Sequence, residues 1–144
     1  LVDVAGPLQA FDSANHLRPP GAPGYRLQTV SEHGGAGTTS PALPLLTEPL
    51  SILAGRSIDT LIVPGGLPPE GPTHLGGLIA WLHRNAERPR RLCSVCTGAF
   101  LLADAGPLDG AALFCQRRRA RRDAGFRRLC RRLEHSRFSV RQNL

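Results

Sequence analysis

Leu92-Cys93-Ser94-Val95-Cys96-Thr97-Gly98-Ala99-Phe100-Leu101-Leu102 is the stretch that decides the fold of this chain. A short apolar run ends in a small-x-Cys-x-Gly turn and resumes at once with helix-like apolar spacing, which predicts a strand turning sharply into a helix. Such a turn presents its central residue to solvent, close to the unpaired N–H groups and positive dipole end of the first helical turn. That setting favours the thiolate of Cys96, the nucleophilic form of the side chain. The pattern is the cysteine counterpart of the G-x-S-x-G nucleophile elbow, with Ser94 and Gly98 as the small residues that permit the tight turn.

Working outward, Thr60-Leu61-Ile62-Val63 reads as a short apolar strand cut by Pro64-Gly65-Gly66. Leu75, Leu78, Ile79, Leu82 and Ala86 mark a helix ended by Pro89, and the helix after the elbow runs to Ala105-Gly106. Near the start, Val2 and Val4 flank Asp3 as if they close a strand. Gly6-Pro7 then opens a helix with Pro at its first position, Leu8, Phe11, Ala14 and Leu17 follow at helical spacing, and Pro19-Pro20 stops it. Tyr25 to Val30 alternates like a strand, and residues 32–50, rich in Gly, Thr and Pro, read as a loop with short extended pieces. Strands alternating with helices predict an α/β fold with a mostly parallel sheet and ligands at the carboxyl ends of its strands. Asp3, Gly65-Gly66 and Cys96 all fall at such ends in this reading.

At 144 residues the chain is at most one domain, large enough for a core. No run of about 18 apolar residues predicts a membrane span, and no basic-then-apolar start predicts secretion. Four irregularly spaced cysteines do not form a disulfide framework, so the expected compartment is reducing and cytoplasmic. All 18 basic residues are Arg and there is no Met, so Leu1 is not expected to be a natural start. The net charge of +7 is uneven. Residues 1–110 carry seven Arg against nine Asp/Glu, whereas residues 111–144 carry eleven Arg against Asp123 and Glu134. The charge therefore belongs to the tail and argues little for nucleic-acid binding by the domain.

Three motifs in this order resemble the ThiJ/PfpI family of the class I glutamine-amidotransferase-like superfamily. They are Asp3-Val4-Ala5-Gly6-Pro7-Leu8-Gln9-Ala10-Phe11, Ile62-Val63-Pro64-Gly65-Gly66, and Ser94 to Phe100 with Leu108-Asp109-Gly110. The nearest likeness is to the amino-terminal domain of GlxA-type AraC-family transcriptional regulators, with isonitrile hydratases next. The resemblance covers residues 1–110 and implies a flavodoxin-like three-layer sandwich. It implies Cys96 as nucleophile and Asp3 as its acidic partner, with the N–H groups of Gly66 and Thr97 as an oxyanion or anion pocket that also takes in Gly65 and Gly98. A carboxyl beside a thiolate could donate a proton to a developing carbanion or amine. No cofactor and no metal are expected.

The chain also departs from the family. The family's first strand is expected ahead of Asp3, where this sequence carries only Leu1 and Val2, and no His stands where a triad member would be expected. After Gly110 the family's continuation gives way to Ala111-Ala112-Leu113-Phe114-Cys115 and an Arg run from Arg117. A shifted reading frame or a degenerate end would produce that break, and residues 111–144 are read as a divergent tail.

Each residue also has a plainer role. Cys96 could be a buried structural thiol, Asp3 a solvated or helix-capping carboxylate, and Gly65-Gly66 an ordinary turn. Cys93 and Cys96 spell C-x-x-C, yet side chains three apart on a strand point to opposite faces, which argues against metal or dithiol chemistry. The histidines at 16, 33, 74 and 83 read as solvated, and Trp81 and Tyr25 as packing residues. The expected function is ligand sensing within a homodimeric AraC-type regulator. A small metabolite would be its partner, and DNA would be contacted only through a helix-turn-helix domain absent from this chain. The alternative is a cysteine-nucleophile enzyme of the isonitrile-hydratase or a related type.

Overall fold

Thr60-Leu61-Ile62-Val63 is β-branched or apolar throughout, the composition of a strand covered on both faces. In the computed structural model, which describes residues 1–38, 42–66 and 76–106 with the backbone of 113–114 and 140–141, it is a strand whose last residue, Val63, enters the core. The elements in chain order are helix α1 (Val2–His16), strands β1 (Val30–Ser31), β2 (Gly35–Thr38) and β3 (Pro44–Pro49), a 3-10 turn (Leu50–Leu53), strand β4 (Thr60–Val63), helix α2 (Gly76–Asn85), strand β5 (Arg91–Ser94), helix α3 (Gly98–Asp104), and two-residue strands β6 (Leu113–Phe114) and β7 (Val140–Arg141).

β4 and β5 pair in parallel, in register from Thr60↔Arg91 to Val63↔Ser94. β1 pairs in parallel with β3, which also forms an antiparallel hairpin with β2, and β6 pairs in parallel with β7. The architecture is thus α/β, with mostly parallel pairing, as expected from the sequence. The core is Val63 of β4, Leu82 of α2, and Leu102 and Ala105 on and just after α3. Leu82 and Leu102 are each 1% exposed, and Leu61, Leu78, Ile79, Trp81 and Leu92 pack around them. The Nδ1 of His83 donates to the Ala105 carbonyl at 2.9 Å and ties α2 to the end of α3, so this histidine is engaged as well as exposed.

Three expectations are corrected. Residues 2–4 are helical rather than the end of a strand: α1 begins at Val2, and Pro7 lies inside it rather than at its first position. A strand needs a hydrogen-bonding neighbour, whereas a helix satisfies its own backbone, as the Ala5 N–H does by donating to the Leu1 carbonyl at 2.9 Å. Asp3 also suits the first helical turn, where the dipole favours a carboxylate. Pro7 cannot donate to the Asp3 carbonyl, a local cost that α1 tolerates near its start.

Second, strand structure near Tyr25–Val30 is confined to Val30 and Ser31, the residues that pair with Glu48 and Pro49. Tyr25 is held from α1 instead. The Asn15 Oδ1 accepts its N–H at 2.7 Å, the Asn15 Nδ2 donates to its carbonyl at 2.8 Å, and its ring meets Phe11 edge-on at 4.8 Å. Third, the short extended pieces expected within residues 32–50 are present but pair with each other as the β2–β3 hairpin, and the segment leads into the 3-10 turn, which buries Leu50 and Leu53. Arg88 fastens that turn by donating to the carbonyls of Leu53 and Arg56 at 2.9 and 3.0 Å. Leu75, His74, Leu108-Asp109-Gly110 and nearly all of the Arg-rich tail lie outside the described residues.

Candidate functional site

Because β4 and β5 run parallel, the chain leaves both at the same end of the sheet, bringing Pro64-Gly65-Gly66 beside Val95-Cys96-Thr97. The ladder continues one step past the strands, where the Val95 N–H donates to the Val63 carbonyl at 3.0 Å. The turn then closes tightly, with the Gly98 N–H donating to the Val95 carbonyl at 3.0 Å. Cys96 has φ +52° and Thr97 has φ −73°, ψ −2°. These values fit a type II′ turn, whose second position normally takes glycine. Among the described non-glycine residues only Ala42 and Cys96 have positive φ. Holding an L residue there costs roughly 1–3 kcal/mol. The Cys96 side chain is exposed and forms no disulfide.

Gly98 explains how the elbow sits against the sheet. A Cβ at this position would lie 2.1 Å from the Val63 carbonyl oxygen and 2.9 Å from that of Pro64. Only glycine lets α3 start this close to β4. Gly65 is comparably enclosed: a Cβ there would lie 2.7 Å from Asp3 Oδ2, 2.7 Å from Thr97 N and 2.9 Å from Thr97 Oγ1. The Asp3 carboxylate therefore reaches the corner between the two turns, although it arrives from the first turn of α1 and not from a strand end.

Thr97 carries a feature that the sequence reading missed. Its hydroxyl accepts the Gly66 N–H at 3.0 Å and donates to the Gly66 carbonyl at 2.7 Å. It makes no capping bond to α3 despite standing at the N-cap position. A Thr ahead of a helix reads most naturally as a cap, so no local signal pointed to this role. The consequence for the expected anion pocket is that the Gly66 N–H is already engaged by Thr97.

Asp3, Gly65, Gly66, Cys96, Thr97 and Gly98 thus gather at one corner of the sheet. Cys93 lies within β5 and is exposed, two residues short of the turn. Among the described residues no group of three or more His, Cys, Asp or Glu side chains gathers to hold a metal ion, and no helix is long and apolar enough to cross a membrane. At the opposite end of the two strands, Asp59 accepts from Arg90 Nε at 2.5 Å, Arg91 Nη2 at 2.8 Å and Thr60 Oγ1 at 2.8 Å. These bonds, those from Arg90 and Arg91 foremost, hold its carboxyl well below the usual carboxylate range. That cluster fastens the strand starts and stands apart from the site.

Known proteins match this chain in sequence. The model of the DJ-1/PfpI family matches residues 2–117, running past residue 110, where the divergent tail was expected to begin. An uncharacterised protein from the cpoL 5' region of Streptomyces lividans is 42% identical over 114 residues, which make up 76% of this chain and 74% of that protein. An HTH-type transcriptional regulator of Mycobacterium tuberculosis is 39% identical over 72 residues, 46% of this chain. The matched part is 28% of that regulator's length.

Proposed function

Since the chain belongs to the DJ-1/PfpI family, we propose that its Cys96 corner is the ligand-sensing pocket of a GlxA-type, AraC-family transcriptional regulator. Residues 1–110 form the sensing unit in this reading and residues 111–144 an Arg-rich tail. The similarity to an HTH-type regulator supports it. DNA contact would belong to a domain outside this chain, and two copies would pair so that ligand binding alters their relative geometry. The partner is a small metabolite that presents an electrophilic carbon or an anionic group.

The observation that carries the proposal is the positive φ of an exposed Cys96, whose chain neighbour Thr97 meets the Asp3 carboxylate at Gly65. Backbone strain persists where the surrounding structure enforces it, and such positions cluster at ligand sites. Here the enforcing contacts are the Val95–Val63 and Gly98–Val95 hydrogen bonds and the close seat of Gly98 on β4. Cys96 is the covalent or polar anchor, Asp3 the proton carrier, and the main chain of Gly66 and Thr97 the anion-facing wall.

The same strained thiol favours a second reading, a cysteine-dependent enzyme of the isonitrile-hydratase type. Cys96 would attack the electrophilic carbon and Asp3 would shuttle the proton, while the Thr97 N–H, joined by that of Gly66 once the Thr97 hydroxyl releases it, would hold the developing charge until water displaces the thiolate. One experiment separates the two. The protein and Cys96→Ala are incubated with an isonitrile and with a glyoxal-type aldehyde, following both turnover and the melting temperature. A ligand-dependent rise in melting temperature without turnover, lost in Cys96→Ala, supports the sensor. Turnover abolished by Cys96→Ala supports the enzyme. Neither response with either probe overturns the assignment of the pocket.

A further inference from the structure

We propose that the Thr97 side chain is a latch on the Cys96 pocket. It occupies the main-chain N–H of Gly66 that a small carboxylate-bearing ligand would otherwise use, so an anionic ligand enters only when the hydroxyl lets go. The inference rests on the pocket assignment above. It is carried by the two bonds between one hydroxyl and both main-chain groups of Gly66, at 3.0 and 2.7 Å. A hydroxyl can donate once and accept at its lone pairs. This one serves both groups of a single residue, as the edge of a neighbouring strand would. The absence of a capping bond from Thr97 to α3 shows that its hydroxyl is directed to Gly66 in place of the usual N-cap partner.

The chemistry follows from the geometry. Gly66 is exposed, and among the described residues no atom comes within 4 Å of a Cβ placed on it. An anion placed there has to compete with Thr97 for the Gly66 N–H. A neutral ligand does not gain from that donor to the same degree, since hydrogen bonds to charged acceptors are about twice as strong. Thr97 is therefore a positioning residue that sets the preference of the pocket between neutral and anionic ligands.

The test uses the full chain with Cys93→Ser and two thiol probes of similar size, iodoacetamide (neutral) and iodoacetate (anionic). The alkylation rate at Cys96 is read by fragment-ion mass spectrometry for wild-type Thr97, Thr97→Val and Thr97→Ser. The rate ratio of iodoacetate to iodoacetamide is expected to rise roughly two- to tenfold in Thr97→Val, the worth of one freed hydrogen bond. Thr97→Ser keeps the hydroxyl and is expected to stay near the wild-type ratio. Taking the ratio removes any general change in thiol exposure, which would move both rates together. If Thr97→Val does not fold, Thr97→Ala deletes the hydroxyl with less bulk and carries the same expectation. A ratio unchanged or lowered when the hydroxyl is removed overturns the latch while leaving the pocket intact. A Cys96 that reacts with neither probe in any variant overturns the pocket itself, and the latch with it.

Discussion

Replacing Gly98 by Ala tests how the elbow is built. The added Cβ would stand 2.1 Å from the Val63 carbonyl oxygen, about 0.9 Å inside the 3.0 Å that real Cβ contacts respect. The obstacle is main chain, held in place because the same carbonyl accepts the Val95 N–H. Either α3 withdraws from β4 or that hydrogen bond breaks. Overpacking of this kind costs about 1–3 kcal/mol, and losing the bond costs about 0.5–1.5 kcal/mol. The helix-forming advantage of Ala over Gly returns at most about 1 kcal/mol. The net expectation is a loss of about 2 kcal/mol, which in a domain of this size lowers the melting temperature by roughly 7 °C. Gly76→Ala is the matched control, because a Cβ at this helical glycine meets none of the described residues within 4 Å. It is expected to be neutral or stabilising by up to about 1 kcal/mol. Urea denaturation of the three proteins gives the energies, and alkylation of Cys96 reports on the elbow. Gly98→Ala matching both wild-type stability and wild-type Cys96 reactivity would refute the argument that close approach explains this glycine.

Two further outcomes follow from the same geometry. Gly65→Ala would place its Cβ 2.7 Å from Asp3 Oδ2 and Thr97 N. It is expected to change Cys96 alkylation sharply, whereas Gly66→Ala, whose Cβ meets none of the described residues within 4 Å, is expected to preserve the fold. Equal tolerance at the two positions would contradict the placement of Asp3. Asp59 should contribute to acid sensitivity. Its folded-state pKa is depressed by Arg90 and Arg91, so its stabilising effect is complete above the unfolded value of about 3.9 and is lost as pH falls below that. The stability gap between wild type and Asp59→Asn should therefore be constant at neutral pH and shrink below about pH 4. A gap that persists unchanged to low pH would show that the ion pairs are not its source.

The parts of the fold that could be read in sequence are those whose signals are local. Thr60–Val63 and Leu92–Ser94 are apolar runs bounded by turn residues. Leu78, Ile79 and Leu82 repeat at helical spacing, and all of these became the predicted elements around the core. The elbow was legible for the same reason, since Ser94, Cys96 and Gly98 lie within five residues and glycine marks a close approach. What failed depended on neighbours distant in the chain. Residues 2–4 have strand-like composition but took the helix, which supplies its own hydrogen bonds. The alternating stretch from Tyr25 became strand only where β3 lies beside it. The β2–β3 hairpin was hidden in a segment whose glycines and prolines suggested a loop.

The sequence by itself determined the α/β pattern, the turn at Cys96 and the residue types gathered near it, because apolar period and turn chemistry are written over a few consecutive positions. Tertiary structure alone decided how those residues meet. Parallel pairing of β4 with β5 brings two turns 30 residues apart in the chain to one corner, where the Thr97 hydroxyl and Gly66 main chain bond to each other. The placement of α1 brings the carboxylate of Asp3 against Gly65 from a helix that was expected to begin later. Hydrogen bonds and steric contacts act over a few ångströms of space, whatever the separation along the chain, and no local pattern encodes them.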